Sequence, residues 1–275
     1  MITGRNEDFN DIRYDVHERV ATITFARPDV LNAMTVDLIA ETITALDTAA
    51  QDNGVRAIIL TGEGRAFCAG GDVRRLGDRS TGGEEPLPPT AFDRRAWLRR
   101  TQRLIVAVHQ VEKPIIAAVN GVAAGGGFDL ACASDIRVAS ERATFCEVFA
   151  KIGLFPGTGG TYFLPRIVGV EKALELIWTA DTIEAEEALR IGLVGRVVPH
   201  EELMSTATEL ARRLAAGPPL AIALGKAAVY RGMDSDFNAA LDYASTAEAI
   251  TLSSQDHVEG INAFREKRSP TFGGR

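Results

Sequence analysis

The 275-residue chain has no apolar stretch close to the roughly 20 residues a helix needs to cross a bilayer, and 24% of its residues are charged. A membrane-embedded protein is therefore not expected. Cysteine is scarce: Cys68, Cys132 and Cys146 have no metal-ligand spacing and cannot all pair. That speaks against a zinc site or a disulfide scaffold and for a reducing compartment. A basic excess is also missing, since 30 Lys and Arg face 37 Asp and Glu for a net charge of −7. This is the wrong sign for non-specific nucleic-acid binding, which needs a cationic stripe to displace counterions. Met1 to Asn10 lacks the basic flank and apolar core of a secretory leader, so the expectation is a cytoplasmic protein.

Several catalytic signatures are absent as well. There is no Gly-x-Ser-x-Gly elbow, no phosphate loop ending in Gly-Lys-Ser/Thr, and no His-Glu-x-x-His helix. Gly121 to Gly127 does not follow Gly-x-Gly-x-x-Gly, which disfavours a dinucleotide site. His17, His109, His200 and His257 all lie far along the chain from the glycine segments described next. If a proton is moved, a carboxylate is the better candidate than an imidazole.

What the chain does have is bare backbone in two places. In Ala118-Val119-Asn120-Gly121-Val122-Ala123-Ala124-Gly125-Gly126-Gly127-Phe128-Asp129-Leu130, three glycines separate a buried-strand pattern from an Ala-rich helical one. Their N–H groups can approach a ligand with no Cβ in the way, and an acid follows two residues later. The second place follows the apolar run Val55 to Leu60, where Ala66-Phe67-Cys68-Ala69-Gly70-Gly71-Asp72-Val73 again reads as strand, exposed glycine and helix. Either loop alone also fits an ordinary turn. Together they offer one amide each to a single carbonyl oxygen, which suits a developing oxyanion.

The rest of the chain alternates strand and helix patterns in a loosely repeating α/β manner. Val20 to Phe25 is a strand stopped by Pro28; Thr35 caps a helix whose Val36, Ile39, Ile43 and Leu46 share one face. Pro114 to Val119 and Asp135 to Ala139 are further strands. Gly77 to Pro89 is rich in glycine, proline and acid and reads as a mobile loop or a frayed helix end. Arg74 and Arg75 with Arg94, Arg95, Arg99, Arg100 and Arg103 form a cationic cluster that suits either a phosphorylated small molecule or a solvated helix face. After Glu171 strand signals fade except at Gly195 to Val198, and Gly217-Pro218-Pro219 separates two helices. The architecture is expected to change near residue 200. Beyond it, Leu220, Ile222, Phe237, Leu241, Tyr243, Ile261 and Phe264 offer apolar surface to the body or to other copies.

Among the acids, Asp129 leads, because a helix begun at the glycine turn keeps it near the amides; a first-turn acid also simply complements the helix dipole. Glu147, flanked by Phe145, Cys146, Val148 and Phe149, is the second candidate, since apolar surroundings raise a carboxyl pKa. Asp72 suits a local cap.

These segments resemble the crotonase superfamily, the enoyl-CoA hydratases and isomerases. The likeness runs from Ala26-Arg27-Pro28 and Leu31-Asn32-Ala33 through Phe67 to Val73 and Asn120 to Leu130. It continues through Gly153-Leu154-Phe155-Pro156-Gly157-Thr158-Gly159-Gly160-Thr161, Leu164-Pro165-Arg166 and Gly169 to the ending Ala263 to Pro270. It implies a spiral of ββα units over residues 1–199 holding an acyl-CoA site. It also implies a C-terminal helical trimerisation region over 200–275, assembled as a homotrimer or as a hexamer of two trimers. The ligand implied is a coenzyme A thioester as substrate, with no prosthetic group or metal. By position, Gly71 and Gly126 match the oxyanion hole; Arg27, Ala33, Ala69, Gly71, Asp72, Val73 and Arg74 match the stretches that contact substrate or coenzyme, and Lys267 a basic end that reaches a neighbouring subunit's ligand.

The acids depart from the family pattern. The hydratases' two glutamates align with Asp129 and Phe149, one a methylene shorter and the other unable to carry a proton; the aspartate some members use aligns with Gly157. The implied activity is that of an enoyl-CoA hydratase or isomerase using Asp129, assisted by Glu147. A thioester hydrolase or decarboxylase of the same fold, and a catalytically silent acyl-CoA binder, stand as alternatives.

Overall fold

The computed structural model describes residues 9–71 and 90–275. Its main sheet has six strands, in the order β1 (Ile12–His17), β2 (Val20–Phe25), β3 (Ala57–Gly62), β5 (Ile115–Val119), β7 (Ile136–Ser140) and β10 (Arg196–Val198). Only the β1–β2 hairpin is antiparallel. β3 and β5 are buried along almost their whole length, as parallel strands covered on both faces must be. Alternate residues serve opposite faces. Ile58, Leu60, Ile115, Ala117 and Val119 join the core that includes Leu38 and Leu46 of α1 (Val36–Gln51), whereas Ala57, Ile59, Ile116 and Ala118 meet Leu203, Ala207, Ala211 and Ala215 of α7 (Leu203–Ala215). The four-residue spacing in α7 puts one nearly all-alanine stripe on the sheet. Thr35 caps α1 as expected, accepting from the Leu38 amide at 3.1 Å.

A second sheet of short strands runs β4 (Ala66–Cys68), β6 (Val122–Ala124), β8 (Thr144–Cys146) and β9 (Thr182–Glu184), the last one antiparallel. Successive strand pairs β3–β4, β5–β6 and β7–β8 therefore place one strand in each sheet, and this alternation forms the spiral of ββ units. β9 lies where strand signals were expected to have faded; at three residues, two of them exposed, it carries no detectable periodicity.

The registers in the second sheet position the site. Cys68 is level with Ala123, and Ala124 with Cys146, so the backbone leaving β4, β6 and β8 emerges side by side. Those exits are residues 69–71, 125–126 and 147. Two asparagines pin the approach: Asn32 donates to the carbonyls of Glu63 and Ala66, and Asn120 to those of Gly64 and Ala66. From β6 the chain enters α3 (Gly126–Ala133), in which every residue is buried. Flanking it are α2 (Ala91–Gln110) and α4 (Gly160–Val168), followed by α5 (Val170–Thr179) and α6 (Ala185–Arg190).

Beyond α7 come α8 (Pro219–Gly232), α9 (Phe237–Leu252) and α10 (Gln255–Glu266), with α7 and α8 divided at Gly217-Pro218. No residue of α8 or α9 is buried. α8 is tied down through Asp135, which accepts from Lys226 and from the Tyr230 hydroxyl, each at 2.8 Å. Among the described residues no helix is long and apolar enough to cross a membrane.

Candidate active site

The two glycine loops touch. Met34 forms a parallel bridge with Gly71, and its amide donates to the Gly70 carbonyl at 2.8 Å, fixing residues 70–71 beside it. Gly70 has φ +81° and packs so closely on the second loop that a Cβ there would stand 2.6 Å from the Ala124 carbonyl oxygen and 2.9 Å from the Gly126 nitrogen. Only glycine permits both the conformation and the approach. Gly125 turns the chain with φ +49° and donates to the Cys146 carbonyl at 2.9 Å, after which Gly126 opens α3. The first amides of a helix have no intrahelical acceptor and carry its positive dipole end.

Asp129 lies in the first turn of α3, its amide bonded to the Gly125 carbonyl. The side chain is 0% exposed and accepts a hydrogen bond at Oδ2 from the Thr158 hydroxyl. Glu147, 1% exposed, leads from β8 into a short 3-10 helix (Val148–Ile152) and turns inward to meet Asp129. Its direction, left open by the sequence, is thus toward the other acid, and Glu147 Oε1 and Asp129 Oδ1 come together over the same glycine, Gly160. Both converge above Gly160, where a Cβ would sit 2.5 Å from Asp129 Oδ1 and closer still to Glu147 Oε1. Burial pushes both carboxyls above the ordinary range. For Asp129, the Thr158 hydroxyl, Glu147 and the Gly160 amide oppose the rise; for Glu147, the neighbouring Asp129 adds to it. Two touching carboxyls cannot both ionise readily, so the pair holds a proton and Glu147 is its main bearer.

Phe149, which aligns with the second hydratase glutamate, lies against Gly125: a Cβ there would be 3.4 Å from Phe149 Cζ. The position is aromatic and half-buried. At Gly157, where some family members carry an acid, a Cβ would meet Leu98 Cδ2 at 2.7 Å. Sequence reasoning missed Thr158 and Gly160. The available signal was a lone hydroxyl within Gly157-Thr158-Gly159-Gly160, which looks like any glycine-rich turn.

Other expected site residues separate into groups. Ala33 and Ala69 flank the glycine loop, with the Ala69 amide on the Leu31 carbonyl. The Arg27 guanidinium is engaged by Asp11 at 3.2 Å and by the Ala33 carbonyl at 2.9 Å, so it braces this edge. Asp72, Val73, Arg74 and the 77–89 segment lie outside the described residues. Lys267 is exposed and ends α10 in a left-handed conformation. Arg94, Arg95, Arg99, Arg100 and Arg103 are exposed along α2. His109 packs among Tyr162, Phe163 and Tyr230, away from the carboxyl pair. All three cysteines are buried and free. Among the described residues no cluster of three or more His, Cys, Asp or Glu could hold a metal.

A family model described as enoyl-CoA hydratase/isomerase matches residues 15–275. The chain belongs to that family. It is 38% identical to a short-chain-enoyl-CoA hydratase of Clostridium acetobutylicum, covering 95% of this chain and 97% of that protein. It is 36% identical to the 1,2-epoxyphenylacetyl-CoA isomerase of Escherichia coli, covering 94% and 97%. The crystal structure of an enoyl-CoA hydratase from Bacillus anthracis superposes with a TM-score of 0.90 at 34% identity, covering 97% and 100%. The crotonase fold and an enzyme of the hydratase/isomerase kind follow from these likenesses, and a coenzyme A thioester fits them as substrate.

Proposed function

We propose that the chain binds an acyl-CoA thioester with its carbonyl oxygen between the amides of Gly71 and Gly126, and that Asp129 moves a proton on the adjacent carbon. Polarising the carbonyl acidifies that carbon and stabilises the enolate that forms. The observation that carries this reading is the contact of the two glycine loops with the Asp129 carboxyl one helical turn away. Coenzyme A contacts are assigned to Ala33 and Ala69, with Arg27 holding the Ala33 carbonyl, and, on the sequence resemblance alone, to Asp72, Val73 and Arg74. Lys267 is assigned to a neighbouring copy's ligand. The copies would be brought together as a homotrimer or a hexamer by the region 200–275, through faces such as Phe237 and Phe264, 75% and 84% exposed. A cytoplasmic location accompanies this reading.

Within the family's chemistry, double-bond isomerisation is favoured over hydration. Addition of water by the usual route needs two acids flanking it, whereas Glu147 touches Asp129 and Phe149 has no proton to give. One carboxylate suffices to take a proton from one carbon and return it to another. Asp129→Asn is expected to leave acyl-CoA affinity within a few-fold and to lower turnover by about 10²–10⁴-fold. The assay is calorimetric binding beside product analysis on a panel of short-chain 2- and 3-enoyl-CoAs. Undiminished turnover would remove Asp129 from the mechanism.

A further inference from the structure

Thr158 is almost wholly buried, and its hydroxyl is both the donor to Asp129 Oδ2 and a neighbour of the oxyanion loop: a Cβ at Gly126 would stand 3.6 Å from Thr158 Oγ1. A hydroxyl has one hydrogen to give, and here Asp129 takes it. Asp129 Oδ1 and both Glu147 carboxyl oxygens are buried without a donor from any other described side chain. A single proton held between the two acids would join Asp129 Oδ1 to one Glu147 oxygen, accounting for two of these three atoms.

We propose that Thr158 is a positioning residue for the reaction: by donating to Asp129 Oδ2 it keeps the shared proton on the Glu147 side and holds Asp129 ionised, facing the substrate carbon. This rests on the assignment of Asp129 as the proton carrier. The asymmetry of the surroundings supports it, since Thr158, Glu147 and the Gly160 amide all favour charge on Asp129, while nothing comparable favours charge on Glu147. Other titratable groups on the elements packed around the pair do not compete. Cys68 and Cys132 are buried thiols pushed upward by burial and stay neutral. Cys146 donates to the Ala180 carbonyl, the α2 arginines face solvent, His109 sits in its aromatic cluster, and Arg166 of α4 pairs with Asp234.

The test compares Thr158→Val and Thr158→Ser in the full-length protein, using whichever short-chain enoyl-CoA of the panel above the wild type turns over. Losing a hydrogen bond to a charged group is expected to move the acid limb of the kcat/KM profile up by about one pH unit or more. kcat at neutral pH should fall further than KM changes, and the serine variant should restore both. Infrared spectroscopy provides a readout independent of turnover. One protonated buried carboxyl is expected in the wild type at neutral pH, none in Glu147→Gln, and a second one in Thr158→Val as the pH is lowered toward the wild-type acid limb. If valine prevents folding, Thr158→Ala replaces it. An unmoved acid limb, or infrared titrations identical in the wild type and the Thr158 variant, would overturn the positioning role even with Asp129→Asn inactive. An active Asp129→Asn would instead overturn the underlying assignment.

Discussion

Gly160→Ala probes the carboxyl pair with one added methyl group. The new Cβ would lie 2.5 Å from Asp129 Oδ1 and nearer still to Glu147 Oε1, well inside contact distance. Such overlap is cheap when the crowded atom ends a mobile surface side chain, but both carboxyls are enclosed and Asp129 is held by Thr158. Overpacking of this kind costs about 1–3 kcal/mol. Alanine in place of glycine returns at most about 1 kcal/mol of helix propensity, and less at the first position of α4. The net loss is then about 1–2 kcal/mol, equivalent to a Tm decrease of roughly 2–8 °C for a chain of this size. Turnover should suffer more than stability, because a displacement of about 1 Å at a reacting group costs on the order of 10²-fold. Gly225→Ala in α8 is the matched control: nothing lies within 4 Å of its Cβ, so only the propensity gain remains. Thermal unfolding and steady-state turnover on both variants decide the matter. A Gly160→Ala enzyme with wild-type turnover and Tm would refute the placement of the two carboxyls.

Two further outcomes are expected. Glu147 has its folded pKa raised, so the native protein retains a proton that the unfolded chain releases, and this contribution to stability is lost as pH rises above the ordinary glutamate range. Glu147→Gln should therefore gain on the wild type as pH increases from 5 to 8, by up to about 1.4 kcal/mol per pH unit; parallel denaturation curves across that range would contradict the buried proton. Asn32 accepts from the Arg27 amide, donates to two carbonyls, and holds φ +55° with no exposure. Asn32→Ala should cost about 1–3 kcal/mol in denaturant unfolding and weaken acyl-CoA binding, since three partners, one buried and two part-buried, lose a bond; a loss under about 0.5 kcal/mol would show that the asparagine does not brace the loop.

The central sheet was legible because Ala57 to Leu60, within Val55 to Leu60, and Pro114 to Val119 are continuous apolar runs near turn residues, the pattern of strands buried on both faces. β4, β6, β8 and β9 were less so, because three residues are too few to show a period. Gly70, Gly71 and Gly125 to Gly127 announced themselves by composition, and Asp129 by its place in the following helix. The meeting of Glu147 with Asp129 was not readable: it depends on the β6–β8 register, which puts Cys146 level with Ala124, and on the turn into the 3-10 helix that swings Glu147 inward. Thr158 arrives from a third segment, and nothing local distinguishes its hydroxyl from a turn residue. A change of architecture was expected near residue 200; just beyond it, the nearly all-alanine stripe of α7 still lies on the main sheet, and Gly217-Pro218 divides α7 from α8.

The central claim is that two amides from distant parts of the chain share one acyl oxygen beside Asp129. A crystal structure of Asp129→Asn with a bound short-chain enoyl-CoA tests it most directly. The account requires the thioester oxygen within about 3 Å of both the Gly71 and Gly126 nitrogens, with the residue 129 side chain against the adjacent carbons. A thioester oxygen bound elsewhere, or reached by neither amide, would contradict it.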